Sequence, residues 1–420
     1  MDNNKLKIFN ARVLTPYRIL ENATILVEGG KIIHISQESV NVDDAVEINA
    51  EGNYVSPGFI DIHVHGGGGH DFMDGTEEAF LKIAETHAMY GTTGLMPTTL
   101  TSELNELYHT LDLYKQADKN NIKGAQFLGM HLEGPYFSMA QRGAQDPRYI
   151  HNPDPKEYME ILSRSSDIRR WSAAPELEGA IEFGNHLRSK NILVAMAHTD
   201  AIYEEALVAF EAGYTLATHF YSCMSGVTRR ECFRYAGVIE TAYLIDEMDV
   251  EIIADGIHLP APLLKLIYKI KGPDRIALIT DSMRAAGMPP GESILGSKHN
   301  GLKVIVEDGV AKLPDRTSFA GSVATCDRLV RNMINMADVP LLEAVKMASL
   351  TPANILGISN TKGSLIKGKD ADIVIFDENV RVSSTIVGGK VIYNMINHCI
   401  RDSAGSIKSK CDSSHNKFGH

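Results

Sequence analysis

The residues best suited to chemistry are histidines and carboxylates that follow short apolar segments. They are His63, His65, Glu133, His198, His219, His258 and Asp281. Imidazole nitrogens and a carboxylate oxygen drawn from separate segments form a ligand set suited to Zn²⁺ with an open position for water. Fe²⁺ or Mn²⁺ would also accept such ligands. The pattern therefore predicts a metal centre that activates water.

Two of these histidines form a His-X-His motif. His63 and His65 lie in VSPGFIDIHVHGGGG, where an apolar segment enters a glycine loop. Side chains two residues apart point to the same face of a β-strand, so both rings can reach one site. Alone, such a pair is more often two ordinary core or surface histidines, and it is the setting that favours metal binding.

Three further residues each have a simpler interpretation when they are taken singly. Glu133 could be a solvated loop carboxylate, and His198 and His219 could be hydrogen-bonded core histidines. Their joint occurrence after apolar segments, in HLE, AMAH and LATH, favours a shared metal site instead.

Asp281 ends the apolar segment IALITDS. A carboxylate at the end of a buried strand is costly unless it is paired or lies near a metal, although Asp281 could also cap a helix. A divalent cation lowers the pKa of bound water to about 7. Asp281 could then accept the water proton and pass it to a leaving nitrogen.

The elements that would position these residues are short strands alternating with helical stretches. The strand candidates are FIDIHVH, GLMPTT, FLGMHLE, RWSAAPE, LVAMAHT, LATHFY, VEIIADGIH and IALITDS. Such alternation predicts an α/β fold, a (β/α)₈ TIM-type barrel whose active site lies at the carboxyl ends of the strands. We assign residues 56–358 to the barrel. An inserted hairpin is predicted at Gly301 to Leu313, and two closing helices between Val323 and Ala348.

Both ends of the chain show the alternating pattern of β-strands, with Gly-Gly-Lys turns at residues 29–31 and 388–390. Residues 1–55 and 359–400 are too short for two domains, so we expect them to form one small β-sandwich domain together. The tail at 401–420 contains Ser, Lys and His and is predicted to be flexible.

Composition excludes several classes of protein. The 420 residues include 41 basic and 53 acidic side chains, for a net charge of −12, which argues against nucleic-acid binding. An anionic substrate would need a local cationic cluster, such as the pair Arg229 and Arg230. We find neither a signal-peptide core nor an apolar run of about 18 residues. The chain is therefore predicted to lack membrane segments. Few cysteines and no CxxC pair indicate free thiols in a reducing compartment, which predicts a cytoplasmic protein.

Ordered phrases of the chain resemble a known family. They are PGFIDIHVHGGGGHDFMD, GTTGLMPTT, HLEGPYFSMAQRGAQDP, AHTDA, THFYSCMSG, IADGIHL, ITDSMRAAG and FAGS, between about Pro57 and Ser322. The family is the N-acetylglucosamine-6-phosphate deacetylases of the amidohydrolase superfamily. The resemblance implies hydrolysis of the N-acetyl group of N-acetylglucosamine 6-phosphate, giving glucosamine 6-phosphate and acetate. It also implies a homodimer.

The resemblance implies a role for each metal-site residue. Glu133, His198 and His219 match the main ligands of a divalent cation, Zn²⁺ foremost, with Fe, Mn and Co as alternatives. Asp281 matches the catalytic acid and base, and His258 a histidine near the reacting group. Some members replace the histidines of the His-X-His motif. This chain retains His63 and His65, so one or two metal ions per subunit are expected, with Glu133 bridging when two are bound.

The resemblance also implies a set of substrate contacts. They are Ala144, Gln145, Ser222, Cys223, Arg230, His258, Phe319, Ala320 and Gly321. In some members the arginine matching Arg230 reaches the phosphate from the neighbouring subunit. Ser222 and Cys223 replace a familiar Asn-Ala pair, and Gln145 stands where some members carry His.

Three alternatives stay open at this stage. Dihydroorotases, hydantoinases and nucleobase deaminases often use a carboxylated lysine after the fourth strand, and RRWSAAPE has none. A deacetylase of another sugar, such as N-acetylgalactosamine 6-phosphate, fits the change at Ser222 and Cys223. A non-catalytic sugar-phosphate binding protein would be expected to lack a ligand or Asp281, yet all are present.

Overall fold

The computed structural model describes residues 5–38 and 40–395 and the two short strands Ile400–Arg401 and Ile407–Lys408. The predicted flexible tail, 401–420, lies outside the described residues apart from positions 401, 407 and 408. Within the described part of the chain, no helix is both long and apolar enough to cross a membrane.

The chain begins with strands β1 (Lys5–Leu14), β2 (Ile19–Glu28), β3 (Lys31–Ser36), β4 (Ala45–Asn49) and β5 (Tyr54–Pro57). In β1, alternate side chains such as Leu6 and Ile8 are buried, as the period of a strand with one covered face requires. β1 pairs antiparallel with β2 and parallel with β4 and β5.

Eight strands follow, and each overlaps one of the predicted segments. They are β6 (Phe59–Val64), β7 (Thr92–Pro97), β8 (Met130–Glu133), β9 (Ile168–Ala173), β10 (Leu193–Met196), β11 (Tyr214–Ala217), β12 (Asp249–Ile252) and β13 (Ile276–Leu278). β6 pairs with β7, and β8 to β13 form a continuous parallel sheet. The short strand Gln126–Phe127 pairs with β7 just before β8 begins. The architecture is a mixed α/β fold of the TIM-barrel type.

One helix follows each of these strands. They are α1 (Glu77–Ala88), α2 (Leu104–Asn120), α3 (Pro155–Arg164), α4 (Ala180–Ser189), α5 (Tyr203–Ala212), α6 (Val238–Leu244), α7 (Ala261–Lys271) and α8 (Cys326–Ala337). Two of these helices begin with a side-chain cap: the Thr76 side chain accepts from Ala79 N before α1, and the Asp154 side chain accepts from Lys156 N before α3, where Pro155 is the first helical residue. α8 buries Leu329 and Met333, one helical turn apart, against the barrel.

Short elements complete the loops between these strands and helices. They are the paired strands Gly66–Gly67 and His70–Asp71, the 3₁₀ turns Phe72–Asp74 and Met139–Gln141, and the paired strands Thr228–Arg230 and Phe233–Tyr235. α9 (Leu341–Met347) and α10 (Leu350–Ile355) follow α8. The predicted helical pair between Val323 and Ala348 corresponds to α8 and α9.

A four-stranded antiparallel sheet is inserted between β13 and α8. It consists of β14 (Gly291–Leu295), β15 (Leu302–Glu307), β16 (Val310–Lys312) and β17 (Phe319–Ser322). The predicted hairpin at Gly301 to Leu313 is confirmed as β15 and β16. β17 returns to the carboxyl end of β13, where Ser322 N donates to Asp281 O at 2.8 Å. The inserted sheet is therefore anchored beside Asp281.

The chain ends of the described structure meet in one eight-stranded sheet. Strands β18 (Ile373–Phe376), β19 (Val382–Val387) and β20 (Lys390–Asn394) give the order β20-β19-β18-β5-β1-β2-β3, with β4 on β1. The turns after β2 and β19 pack together: a Cβ at Gly30 would lie 2.8 Å from Gly388 O, and one at Gly389 2.9 Å from Gly30 Cα. Only glycine allows this approach at positive φ.

Candidate active site

Glu133, at the end of β8, lies at the centre of four histidines and is 2% exposed. Its Oε1 lies 3.1 Å from His219 Nε2, 3.5 Å from His198 Nε2 and 3.4 Å from His63 Nε2. Its Oε2 lies 3.4 Å from His65 Nε2. Glu133 thus belongs to two groups, one with His63 and His65 and one with His198 and His219. Within each group, the ligand atoms lie within 4.8 Å of one another.

Backbone carbonyls orient two of these rings. His198 Nδ1 lies 2.8 Å from Gln141 O, and His65 Nδ1 lies 3.3 Å from Thr98 O. A carbonyl oxygen can only accept, so each Nδ1 carries a proton, and Nε2 is the nitrogen that would offer its lone pair to a metal once it gives up its own proton. This is the arrangement in which a histidine is ready to bind a metal.

Three residues at these strand ends have left-handed backbone conformations. The φ angles are +47° at His198, +31° at His219 and +46° at Asp281. Non-glycine residues adopt this region at a cost, and such residues cluster at functional sites. The conformations turn the chain sharply where each strand leaves the barrel.

Asp281 faces the first pair of histidines. Its Oδ1 lies 3.2 Å from His65 Nε2 and 3.5 Å from His63 Nε2. Burial would raise the pKa of Asp281, but the charge of His63 and the hydrogen bond from His65 outweigh it and lower the pKa. Asp281 is therefore ionised and able to accept a proton.

Glu133 is held ionised in a similar way. Burial favours its neutral form, yet the charge of His63 and the hydrogen bonds from His198 and His219 hold the pKa of Glu133 well below its usual range. Over the described residues, its ion-pair partners are all histidines, without Lys or Arg.

The donor set fits a divalent cation. Four imidazole Nε2 atoms and oxygens of Glu133 and Asp281 converge, and in the neutral imidazoles that bind metals the Nε2 lone pairs would face these oxygens. A cation satisfies converging lone pairs that would otherwise repel. The described residues therefore include two His/Glu groups able to bind a divalent metal.

The histidines and Glu133 open onto a pocket of about 470 Å³. Predicted site residues that line it are His65, Glu133, Ala144, Gln145, His198, His219, Ser222, Cys223, His258, Asp281, Phe319 and Gly321. Three others do not line it. His63 is fully buried, Ala320 is buried within β17, and Arg230 is exposed on the hairpin after β11.

His258 is fixed at the edge of the pocket by Asp255. His258 Nδ1 lies 2.8 Å from Asp255 Oδ2, and Asp255 Oδ1 accepts from the backbone N–H groups of Ile257 and His258. Burial opposes ionisation of Asp255, but His258 and these donors lower its pKa. The ring centroids of His258 and Phe319 lie 4.6 Å apart. Because Nδ1 faces Asp255, Nε2 is the ring nitrogen of His258 that is left for another partner.

Several pocket residues were not singled out by the sequence pattern. Lys312 lines the pocket from the end of β16, and Arg316, Thr317 and Ser318 line it from the loop between β16 and β17. Lys312 pairs with Asp308 at 2.7 Å, and Arg316 with Glu307 at 2.8 Å. The signal that could have indicated them is the position of the predicted hairpin between Asp281 and the FAGS segment.

Comparison with known proteins identifies the family of this chain. The sequence matches the amidohydrolase family over residues 54–392. The chain belongs to the amidohydrolase family. Among the relatives of this amidohydrolase is the N-acetylglucosamine-6-phosphate deacetylase of Lysinibacillus sphaericus, 34% identical over 380 residues, 88% of this chain and 93% of the relative. The N-acetylgalactosamine-6-phosphate deacetylase of Escherichia coli O157:H7 is 35% identical over 382 residues, 90% of this chain and 97% of the relative.

Solved structures with a similar fold also match most of this amidohydrolase chain. The N-acetylglucosamine-6-phosphate deacetylase of Pasteurella multocida has a TM-score of 0.86 and 27% identity, with coverage of 93% of this chain and 100% of that chain. A mutant of the Mycobacterium smegmatis enzyme, in complex with N-acetyl-D-glucosamine-6-phosphate, has a TM-score of 0.84 and 28% identity over 93% and 100% of the two chains.

Proposed function

We propose that this amidohydrolase hydrolyses the N-acetyl group of N-acetylglucosamine 6-phosphate, giving glucosamine 6-phosphate and acetate. The observation that carries the proposal is the position of Glu133 among four histidines, with Asp281 within 3.5 Å of two of them, at the floor of one pocket. The names of the relatives support the substrate class.

Two metal groups follow from this geometry. We assign Glu133, His198 and His219 to one divalent cation, and His63, His65 and Glu133 to a second, for one or two ions per subunit. Zn²⁺ is the expected ion for nitrogen-rich ligands, with Fe²⁺, Mn²⁺ and Co²⁺ as alternatives. Such a cation would supply the Lewis acidity that lowers the pKa of water and polarises the acetyl carbonyl.

Asp281 carries the proton in the proposed mechanism. Its ionised carboxylate accepts a proton from the water that attacks the acetyl carbon. It then donates that proton to the amide nitrogen as the carbon–nitrogen bond breaks, releasing acetate and the free amine. His258, held by Asp255, presents Nε2 to the substrate near the reacting carbonyl.

The substrate contacts are proposed from the same pocket. The sugar would lie against Ala144, Gln145, Ser222, Cys223, His258, Phe319 and Gly321, whereas the buried Ala320 would support its two neighbours in β17. Arg230 lies outside the pocket lining of its own chain. We therefore propose that, in a homodimer, it reaches the phosphate of the substrate bound in the neighbouring subunit. Lys312 and Arg316 are the lysine and arginine in the described lining, and they add positive charge from the same chain.

We further propose that the barrel is closed and that the terminal segments 1–55 and 359–400 form a sandwich domain beside barrel residues 56–358. Hydrogen bonds from Asp281 N to His63 O and from His65 N to Ser282 O, both 2.9 Å, support closure between β13 and β6. We also propose a cytoplasmic enzyme, and the free thiols of Cys223, Cys232 and Cys326 support a reducing environment.

A second candidate substrate is N-acetylgalactosamine 6-phosphate. The Escherichia coli relative that acts on this sugar is as similar as those named for N-acetylglucosamine 6-phosphate, at 35% against 34% identity. Ser222 and Cys223, which line the pocket in place of the familiar Asn-Ala, favour keeping this candidate.

The deciding experiment is acetate release from both N-acetylhexosamine 6-phosphates and from their unphosphorylated forms, with metal content measured on the same samples. We expect the fastest release from N-acetylglucosamine 6-phosphate and loss of activity after chelation. Equal rates without the phosphate would exclude the phosphate contacts. Tight sugar-phosphate binding without acetate release would instead indicate a non-catalytic binding protein.

A further inference from the structure

A charged pair lies buried beneath the metal-site histidines. Arg170, on β9, and Glu251, on β12, are both 0% exposed. Arg170 Nη2 donates to Glu251 Oε2 at 2.9 Å, and Arg170 Nη1 contacts Glu251 Oε1, so the two side chains pair through both oxygens. The residues are 81 positions apart in the chain.

This pair touches the strands that carry two of the candidate ligands. On the β6 side, Arg170 Nη1 donates to Ile62 O at 3.0 Å, directly before His63. On the β11 side, Arg170 Nη2 donates to Thr218 Oγ1 at 2.9 Å, and His219 N donates to Glu251 Oε2 at 3.4 Å. Four strands, β6, β9, β11 and β12, are thus held together below Glu133.

Glu251 also faces His63 directly. Its Oε2 lies 3.5 Å from His63 Nδ1, and that nitrogen is buried with no hydrogen-bond partner among the described residues. The other ring nitrogen, Nε2, points towards Glu133 and Asp281. A carboxylate behind a histidine selects the tautomer that keeps the opposite nitrogen free, which is how outer residues prepare a histidine to bind metal.

Stability alone does not account for the pair. Removing two charges from water costs several kcal/mol per ion, and apolar residues of similar size are often neutral or better for folding. Arg170 also leaves its Nε without a partner in the described structure. A buried pair of this kind, placed under the ligand residues, is better explained by what it positions.

We infer that Arg170 and Glu251 are positioning residues that hold His63 for a second divalent cation. This inference rests on the proposed metal-dependent function and deepens it. Glu251 keeps the proton of His63 on Nδ1, and Arg170 holds Glu251 in place while balancing its charge. The pair therefore controls the affinity of the His63, His65 and Glu133 group, while the His198 and His219 group depends on it less.

The test is titration of the metal-free full chain with Co²⁺, whose visible absorption reports its coordination, with stoichiometry measured by mass spectrometry. We expect two ions in the wild type. In Glu251→Gln we expect the first ion to bind nearly as before and the second to bind about 10–100-fold more weakly. Unchanged affinity for both ions in Glu251→Gln, or equal loss of both, would overturn the inference.

Two further variants separate positioning from stability. The double variant Arg170→Met with Glu251→Met removes both charges, so it should fold while still losing the second ion. Lys362→Met breaks another buried ion pair, with Asp372 at 2.6 Å, and should lose stability without losing metal. A folded double variant that binds two ions like the wild type would overturn the inference.

The wild type distinguishes this inference from the function on which it rests. One bound ion with full acetate release would overturn the inference and leave the deacetylase proposal intact. A wild type that binds no ion and releases no acetate would overturn both.

Discussion

Gln145 Nε2 donates a 2.7 Å hydrogen bond to Glu133 Oε2, the same oxygen that lies 3.4 Å from His65 Nε2. The amide is held in one orientation because Gln145 Oε1 accepts from Thr101 N at 3.0 Å. A neutral donor on a loop therefore sets the rotation of the carboxylate that joins the two metal groups. Gln145 also lines the pocket, but in this structure its amide nitrogen contacts Glu133.

Replacing Gln145 with Ala should weaken metal binding. Glu133 loses the donor that orients it, and we expect metal affinity to fall by about 10–100-fold. Thr101 N loses its acceptor, at a stability cost of about 1–3 kcal/mol. Metal content after dialysis against a weak chelator measures the effect. The matched control is Gln141→Ala, because the contact that Gln141 makes with His198 is through its backbone oxygen. Equal metal retention in both variants would contradict the prediction.

Replacing Asp281 with Asn should abolish most turnover while the His198 and His219 group keeps its ion. Asn cannot accept the water proton, so we expect kcat to fall by about 10²–10⁴-fold. Acetate release and metal content are measured on the same preparation. Near-normal release by Asp281→Asn would exclude Asp281 as the proton carrier.

The phosphate contacts can be tested by single substitutions. A charge-assisted hydrogen bond contributes about 1.5–3 kcal/mol, so we expect Arg230→Ala and Arg316→Ala each to raise KM about 10–100-fold for the phosphorylated sugar. The unphosphorylated sugar should show little change. Arg229→Ala is the control, since the Arg229 side chain donates to Glu231 O nearby. A mixture of Arg230→Ala with an Asp281→Asn partner chain would test supply across subunits. If Arg230 acts in trans, each mixed dimer regains one complete site of its two, so the mixture should be more active than either variant alone; without supply in trans no activity is recovered.

Acid should weaken the ion pair between Asp74, in the loop after β6, and Arg284, in the segment that joins β13 to the inserted sheet. Asp74 Oδ1 lies 2.8 Å from Arg284 Nη2. Burial would raise the pKa of Asp74, but the hydrogen bond and charge of Arg284 outweigh burial and lower the pKa. A lowered carboxylate pKa gives stability that is present above the unfolded value, about 3.9, and is lost as the pH falls through the folded value.

Asp74→Asn should therefore cost stability at neutral pH and less at low pH. Breaking a buried pair costs on the order of 3 kcal/mol. The measurement is the difference in unfolding free energy between wild type and Asp74→Asn by urea denaturation at pH 7 and below pH 4. A difference that stays constant over this range would show that the Asp74 charge contributes nothing.

Much of the frame follows from local pattern. The eight strand segments were predictable because each is a short apolar run between helical stretches, and the hairpin at Gly301 to Leu313 because alternating residues flank a turn with glycine. His63, His65 and Asp281 could be proposed because each ends an apolar strand. The positions of Arg230 outside the pocket lining and of Lys312 inside it were not predictable, because they depend on how loops fold over the rim.

The sequence by itself determined which residue types stand at the ends of the strands, and so the chemical class of the site. Only the tertiary structure decided that Gln145 holds the Glu133 carboxylate and that Arg170 meets Glu251 beside His63 and His219. The physical reason is the range of the interactions. Strand and turn preferences act over a few residues, whereas these contacts form only when strands far apart in the chain bring their side chains into the same buried space.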